Sequence, residues 1–193
     1  MTLALEIDGL RKRFGAVEAL AGATLRVREG TVHALLGENG AGKTTLMRAV
    51  YGMLRVDAGT LRIFGQEVRP RSSAEAIARG VGMVHQHFTL VPAMTVAENV
   101  ALGMHGRYDA AQAAERVRTL GRRTGLALDP AARVADLPVG AQQRLEILKA
   151  LARDARLLIL DEPTAVLAPD EAEDLMRWIR RFRDEGHAVV LIT

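Results

Sequence analysis

The stretch "GENGAGKT", Gly37–Thr44, decides how the rest of this chain is to be read. It satisfies G-x-x-x-x-G-K-[ST] at every fixed position, between an apolar run, "VHALL" (32–36), and a run of helical composition, "LMRAVYGML" (46–54). Strand, glycine loop and helix in that order are the setting in which the spacing means phosphate binding. The glycines let successive backbone N–H groups turn inward onto phosphate oxygens, and the following helix adds the positive end of its dipole. Lys43 reaches the outer phosphates, and the Thr44 hydroxyl suits magnesium. The candidate nucleotide-binding residues here are Gly37, Asn39, Gly40, Ala41, Gly42, Lys43, Thr44 and Thr45.

Outward from the loop the pattern is α/β. Upstream, "LALEI" (3–7) and "ATLRV" (23–27) are short β-rich runs separated by turns such as "REG" (28–30), so the chain is expected to open on strands. Downstream, "GTLRIFGQEV" (59–68) predicts a strand pair and "GVGMVHQHF" (80–88) a buried strand ending in polar residues, before a loop that opens at Pro92. From about 95 to 135 the pattern turns helical, in "TVAENVALG" (95–103) and "DAAQAAERVRTLGRRTG" (109–125). A helix over "GAQQRLEILKALARD" (140–154), with Leu145, Leu148 and Leu151 on one side, leads to the strand "ARLLILDE" (155–162). A last helix starts at "APDEAEDLM" (168–176), with Pro169 and acids in its first turn, and ends at Gly186 before "HAVVLIT" (187–193). With no repeat and no low-complexity linker, one domain over 1–193 is expected, with a small helical subdomain at about 90–150.

Composition narrows the function classes. The longest apolar runs fall far short of the roughly 20 residues that cross a bilayer, and no basic, apolar, small-residue leader is evident at the start, so a cytosolic protein is expected. Cysteine is absent, which excludes disulfides and thiolate metal sites. The net charge is +3, and the arginines are interspersed with acids rather than clustered, so no nucleic-acid partner is expected.

A second set of candidates follows from "LLILDE". Four apolar residues place this strand in the sheet interior, so Asp161 and Glu162 emerge at its carboxyl end, where open α/β sheets bind ligands. There Asp161 would hold magnesium and Glu162 would orient and polarise an attacking water. Gln86, at the end of "GMVHQ", lies between the two motifs; a turn cap and a ligand role are both open for it. Its neighbours His85 and His87 alternate along the run and would point to opposite faces, which argues against a joint metal site.

Together these residues resemble the nucleotide-binding subunit of an ABC transporter, with the motifs in order along essentially the whole chain. The resemblance implies a P-loop NTPase core of ABC type with an N-terminal antiparallel β subdomain, ATP and Mg2+ as cofactors, and ATP hydrolysis coupled to transport. It implies that Phe14 stacks on adenine with Val17 beside it, that Gln86 senses magnesium and the membrane subunits, and that Asp161 and Glu162 are the magnesium and catalytic acids. "LPVGA" (137–141) resembles the family signature, usually Leu-Ser-Gly-Gly-Gln, which caps ATP on the opposite subunit of a head-to-tail dimer. Pro138 offers neither hydroxyl nor N–H there, whereas Gly140 is retained and Gln142 follows on the helix N-terminus. Ala168 stands where the family has an aspartate that communicates across the dimer, and the switch histidine expected after "HAVVLIT" would follow Thr193.

"MVHQHFTLVPAMTVAENVALG" (83–103) and "VGAQQRLEILKAL" (139–151) are most like the sugar and nucleoside importer branch, whose ATPase is often a double-length chain with two nonequivalent halves. The expectation is therefore an N-terminal half, cut before its switch region, peripheral on the cytoplasmic face of the membrane. Its expected partners are transmembrane permease subunits, a second ATP-binding domain (fused half or homodimer) and, indirectly, an extracytoplasmic substrate-binding protein. The alternatives are a non-transport ABC ATPase and a nucleotide-binding module with little turnover.

Overall fold

The computed structural model describes residues 2–104 and 106–193. In chain order the first half contains β1 (Leu3–Phe14), β2 (Val17–Arg28), β3 (Val32–Leu35), α1 (Lys43–Val50), β4 (Ala58–Ile63), β5 (Gln66–Glu67), α2 (Ser73–Ile77) and β6 (Val81–Val84). The second half contains α3 (Val96–Ala101), α4 (Ala110–Thr124), α5 (Val139–Leu151), β7 (Leu157–Asp161), α6 (Pro169–Asp184) and β8 (Ala188–Ile192).

The strands form two sheets, one antiparallel in the order β2-β1-β4-β5 and one parallel in the order β3-β8-β7-β6. The expected α/β class and N-terminal antiparallel sheet are both present. The strand before the glycine loop, which the sequence groups with the β-rich opening, instead joins the parallel sheet beside β8. β1 and β2 also run further than their apolar cores, through "RKRF", because each supplies the other's ladder out to the Phe14–Val17 pair.

The two faces of β7 explain the layering. All five of its residues are buried. Leu157 and Ile159 pack towards the antiparallel sheet and α1, while Leu158 and Leu160 pack towards α3, α4, α5 and α6. Period-two alternation thus distributes one strand between two cores. α5 lies against β6 so closely that a Cβ on Gly82 would come within 2.9 Å of Ala150 Cβ. Leu145, Leu148 and Leu151 are buried as expected, but so are most other residues of α5, which has no open polar face.

Local signals set the helix ends. α1 closes on Gly52 at φ 76, with Gly52 N donating to Ala49 O and Met53 N to Arg48 O, a Schellman pair. α3 opens on a reciprocal cap in which the Thr95 hydroxyl accepts from Glu98 N and the Glu98 carboxylate accepts from Thr95 N. At α6 only the second half of such a box exists, since Ala168 has no acceptor; Glu171 Oε2 accepts from Ala168 N at 3.1 Å.

Candidate active site

The glycine loop turns from the carboxyl end of β3 into α1. Gly40 and Gly42 hold φ of 84 and 87, left-handed values that a side chain disfavours. A Cβ on Gly42 would also lie 2.6 Å from Ala19 O on β2. Lys43 Nζ donates to the carbonyls of Gly37 and Glu38, which holds the ammonium over the loop.

One side-chain contact joins this loop to the end of β7, and a second joins the segments that follow β6 and β7. Thr44 Oγ1 donates to Asp161 Oδ1 at 3.2 Å, and Gln86 Nε2 donates to Glu162 Oε2 at 2.7 Å. Residues far apart in sequence thus meet at the carboxyl ends of β3, β6 and β7, the edge at which α/β sheets bind ligands. Asp161 is 4% exposed, and burial raises its pKa; the Thr44 hydroxyl opposes that rise, and the Glu162 charge adds to it. Glu162 itself sits at φ 48, a strained conformation for glutamate, held by Glu162 N donating to Ile192 O at 3.0 Å. Thr44, Asp161 and Gln86 supply a hydroxyl, a carboxylate and an amide, a hard-oxygen donor set that fits magnesium.

The remaining candidates lie apart from this centre. Phe14, 50% exposed, and Val17, 65% exposed, face each other across the β1–β2 hairpin, and Lys12 Nζ lies 5.4 Å from the Phe14 ring. Gly140 and Gln142 sit at the start of α5. The position of a Gly140 Cβ is taken by the Glu171 side chain, and Gln142 Nε2 donates to Leu137 O at 2.9 Å. Among the described residues no hydrogen bond links either to Gly37–Thr45. Pro138 is the N-cap of α5 and provides no side-chain cap. β6 ends at Val84, so strand alternation does not govern the two histidines; His85 packs edge-on to Tyr51 at 5.9 Å and burial lowers its pKa, while His87 is exposed.

Sequence reasoning passed over Thr89, Glu146 and Lys149. Glu146 is 3% exposed and accepts from Thr89 N at 2.5 Å and Thr89 Oγ1 at 3.0 Å, and Lys149 Nζ donates to Thr89 O at 3.0 Å. The available signal was two charges inside the apolar run "LEILKAL" (145–151), where a helix buried all round leaves them no water.

A phosphate loop after β3, an acid pair at the end of β7, a glutamine after β6 and an antiparallel sheet in front define an ATP-binding cassette of ABC type. The profile of the ABC transporter family matches residues 20–165, and the chain belongs to that family. It is 45% identical over 194 residues to the guanosine import ATP-binding protein NupO of Bacillus subtilis, covering 98% of this chain and 38% of the relative. It is 46% identical over 193 residues to the ribose import ATP-binding protein RbsA 1 of Rubrobacter xylanophilus, covering 98% of this chain and 39% of the relative. The chain therefore spans about two fifths of the length of these relatives. In fold it is similar to the ADP conformation of MJ1267, an ATP-binding cassette of an ABC transporter, with a TM-score of 0.87 at 24% identity, over 100% of this chain and 81% of that one.

Proposed function

We propose that this chain binds and hydrolyses ATP to energise import of a sugar or nucleoside through a partner permease, at the cytoplasmic face of a membrane. The observation that carries the reading is the convergence of Thr44 with Asp161 and of Gln86 with Glu162 at one sheet edge. The import names of the relatives support the transport half. Among the described residues no helix is long and apolar enough to cross a membrane, and in this reading the permease supplies the membrane path.

Each residue has a role that its contacts support. Backbone N–H groups of Gly37–Thr45 bind the phosphates, and Lys43 exchanges the carbonyls of Gly37 and Glu38 for phosphate oxygens. Phe14, with Val17 beside it, offers a ring face to adenine. Thr44, Asp161 and Gln86 would hold magnesium, which would supply positive charge to offset the charge that develops on the phosphates. Glu162 takes the proton of the attacking water, and Gln86 keeps its carboxylate in place at 2.7 Å. Gly140 and Gln142, away from their own loop, serve the ATP of a second ATP-binding domain in a head-to-tail dimer, whether a fused half or another copy of the chain. An extracytoplasmic binding protein would set the substrate indirectly.

A titration with a fluorescent ATP analogue and magnesium, followed by a turnover assay, tests this. Lys43→Ala loses a charge-assisted contact and binds about 10- to 100-fold more weakly. Glu162→Gln binds ATP as before and turns over about 10²- to 10⁴-fold more slowly. Unchanged affinity in Lys43→Ala overturns the reading. Pro138, which leaves α5 without a side-chain cap, favours a second reading, a nucleotide-binding module with little turnover. ATP binding without hydrolysis, with the permease and the second domain present, selects that one.

A further inference from the structure

Residues 86 to 89 run from the Gln86–Glu162 contact to α5. At one end Gln86 Nε2 donates to Glu162 Oε2 at 2.7 Å, in the ATP centre. Three residues later both backbone groups of Thr89 are taken by α5. Its N–H goes to Glu146 Oε1 at 2.5 Å and its carbonyl accepts from Lys149 Nζ at 3.0 Å, while its hydroxyl reaches both Glu146 oxygens at 3.0 and 3.3 Å. Glu146 and Lys149 lie 3.6 Å apart, one turn along the helix, with side chains 3% and 11% exposed. Burying two charges is costly unless every partner is supplied. Here the partners are the main-chain groups of a single loop residue, which a neutral pair would hold less tightly.

We propose that Glu146 and Lys149 are positioning residues that lock the loop carrying Gln86 to α5, so that the loop and the signature segment at the start of α5 move as one body. The inference rests on the ATP reading above and adds to it one link between the Gln86–Glu162 end of the site and α5. α5 cannot slide past β6 to break the link cheaply, because Gly82 and Ala150 leave no room between them. With Thr89 held at one end and Gln86 on Glu162 at the other, the intervening His87 and Phe88 leave little slack.

Hydrogen exchange read by mass spectrometry tests this on the full chain, with and without ATP and magnesium, at a concentration where light scattering shows monomer. The double variant Glu146→Gln with Lys149→Met keeps both shapes and strands no lone charge. The expected result is ATP affinity within about twofold of the unsubstituted chain. The nucleotide-dependent slowing of exchange at 143–149 should fall from about tenfold to under about twofold. Thr89→Ser is expected to behave as the unsubstituted chain and Thr89→Val to lose part of the slowing; these two carry the test if the double variant fails to fold. Full slowing retained in the double variant and in Thr89→Val overturns the proposal, as does an unsubstituted chain that binds ATP with no slowing at 143–149. A chain that binds no ATP at all instead refutes the ATP reading, and this inference with it.

Discussion

Substituting alanine at two glycines of one loop separates backbone strain from a steric clash. Gly40 and Gly42 have nearly the same left-handed φ, 84 and 87. A Cβ on Gly40 meets nothing within 4 Å, whereas one on Gly42 lies 2.6 Å from Ala19 O and 3.2 Å from Leu20 Cδ2. Gly40→Ala therefore carries only the left-handed penalty, about 1–2 kcal/mol. Gly42→Ala carries that and an overlap with a main-chain carbonyl of β2, which cannot rotate away; overpacking of this kind adds about 1–3 kcal/mol. For a domain of this size each kcal/mol lowers Tm by about 2–4 °C. Thermal unfolding followed by circular dichroism should place Gly42→Ala below Gly40→Ala, and both below the unsubstituted chain. Because α1 must shift off β2 to relieve the overlap, Lys43 and Thr44 shift with it, so ATP affinity measured well below both midpoints falls further in Gly42→Ala. Equal Tm losses would refute the claim that β2 fixes the start of α1.

Phe14→Ala removes a ring that is already half exposed, so stability changes by no more than about 0.5 kcal/mol, while ATP affinity drops by about 1–3 kcal/mol through lost adenine stacking. Inorganic triphosphate, which has no base, should bind both forms alike, and a Tm loss with unchanged ATP affinity refutes the assignment. Asp161 gives a pH test. Burial raises its folded pKa above the unfolded value, so between the two the folded chain binds more protons and stability falls as pH rises. Asp161→Asn, which cannot titrate, should be the more stable form at neutral pH without magnesium, with the difference closing on acidification to the unfolded carboxyl range, and it should lose the magnesium dependence of ATP binding. A variant less stable than its parent at neutral pH sinks that account.

Much of this molecule was legible because its signals are local. The glycine loop, the apolar strand that ends in two acids, and Pro169 with acids at the start of α6 each carry their meaning within a few residues. Other local signals went unread. Ser72 followed by Glu75 is a capping pattern, and it does open a helix, α2, in which the Ser72 hydroxyl accepts from Glu75 N. What was not legible depends on distant pairing. Nothing in "VHALL" says that it pairs with β8, some 150 residues later, rather than with the strand just before it. That pairing is nevertheless what sets the glycine loop beside Asp161.

The pair Glu146 and Lys149 makes the same point more sharply. In a helix read by periodicity, two charges three residues apart look like a solvent-facing ion pair, worth a few tenths of a kcal/mol. That reading fails once α5 is covered on nearly every side. Burial makes an ion pair expensive, so its presence needs partners that water would otherwise supply, and both main-chain groups of Thr89 supply them. The same argument applied to Asp161 gives the opposite result. Its carboxylate is as buried as that of Glu146 but accepts one hydrogen bond among the described residues, from Thr44, and burial raises its pKa. Of two buried acids, the one whose bonding is complete inside the chain holds structure, and the one left short of partners is the acid suited to a cation.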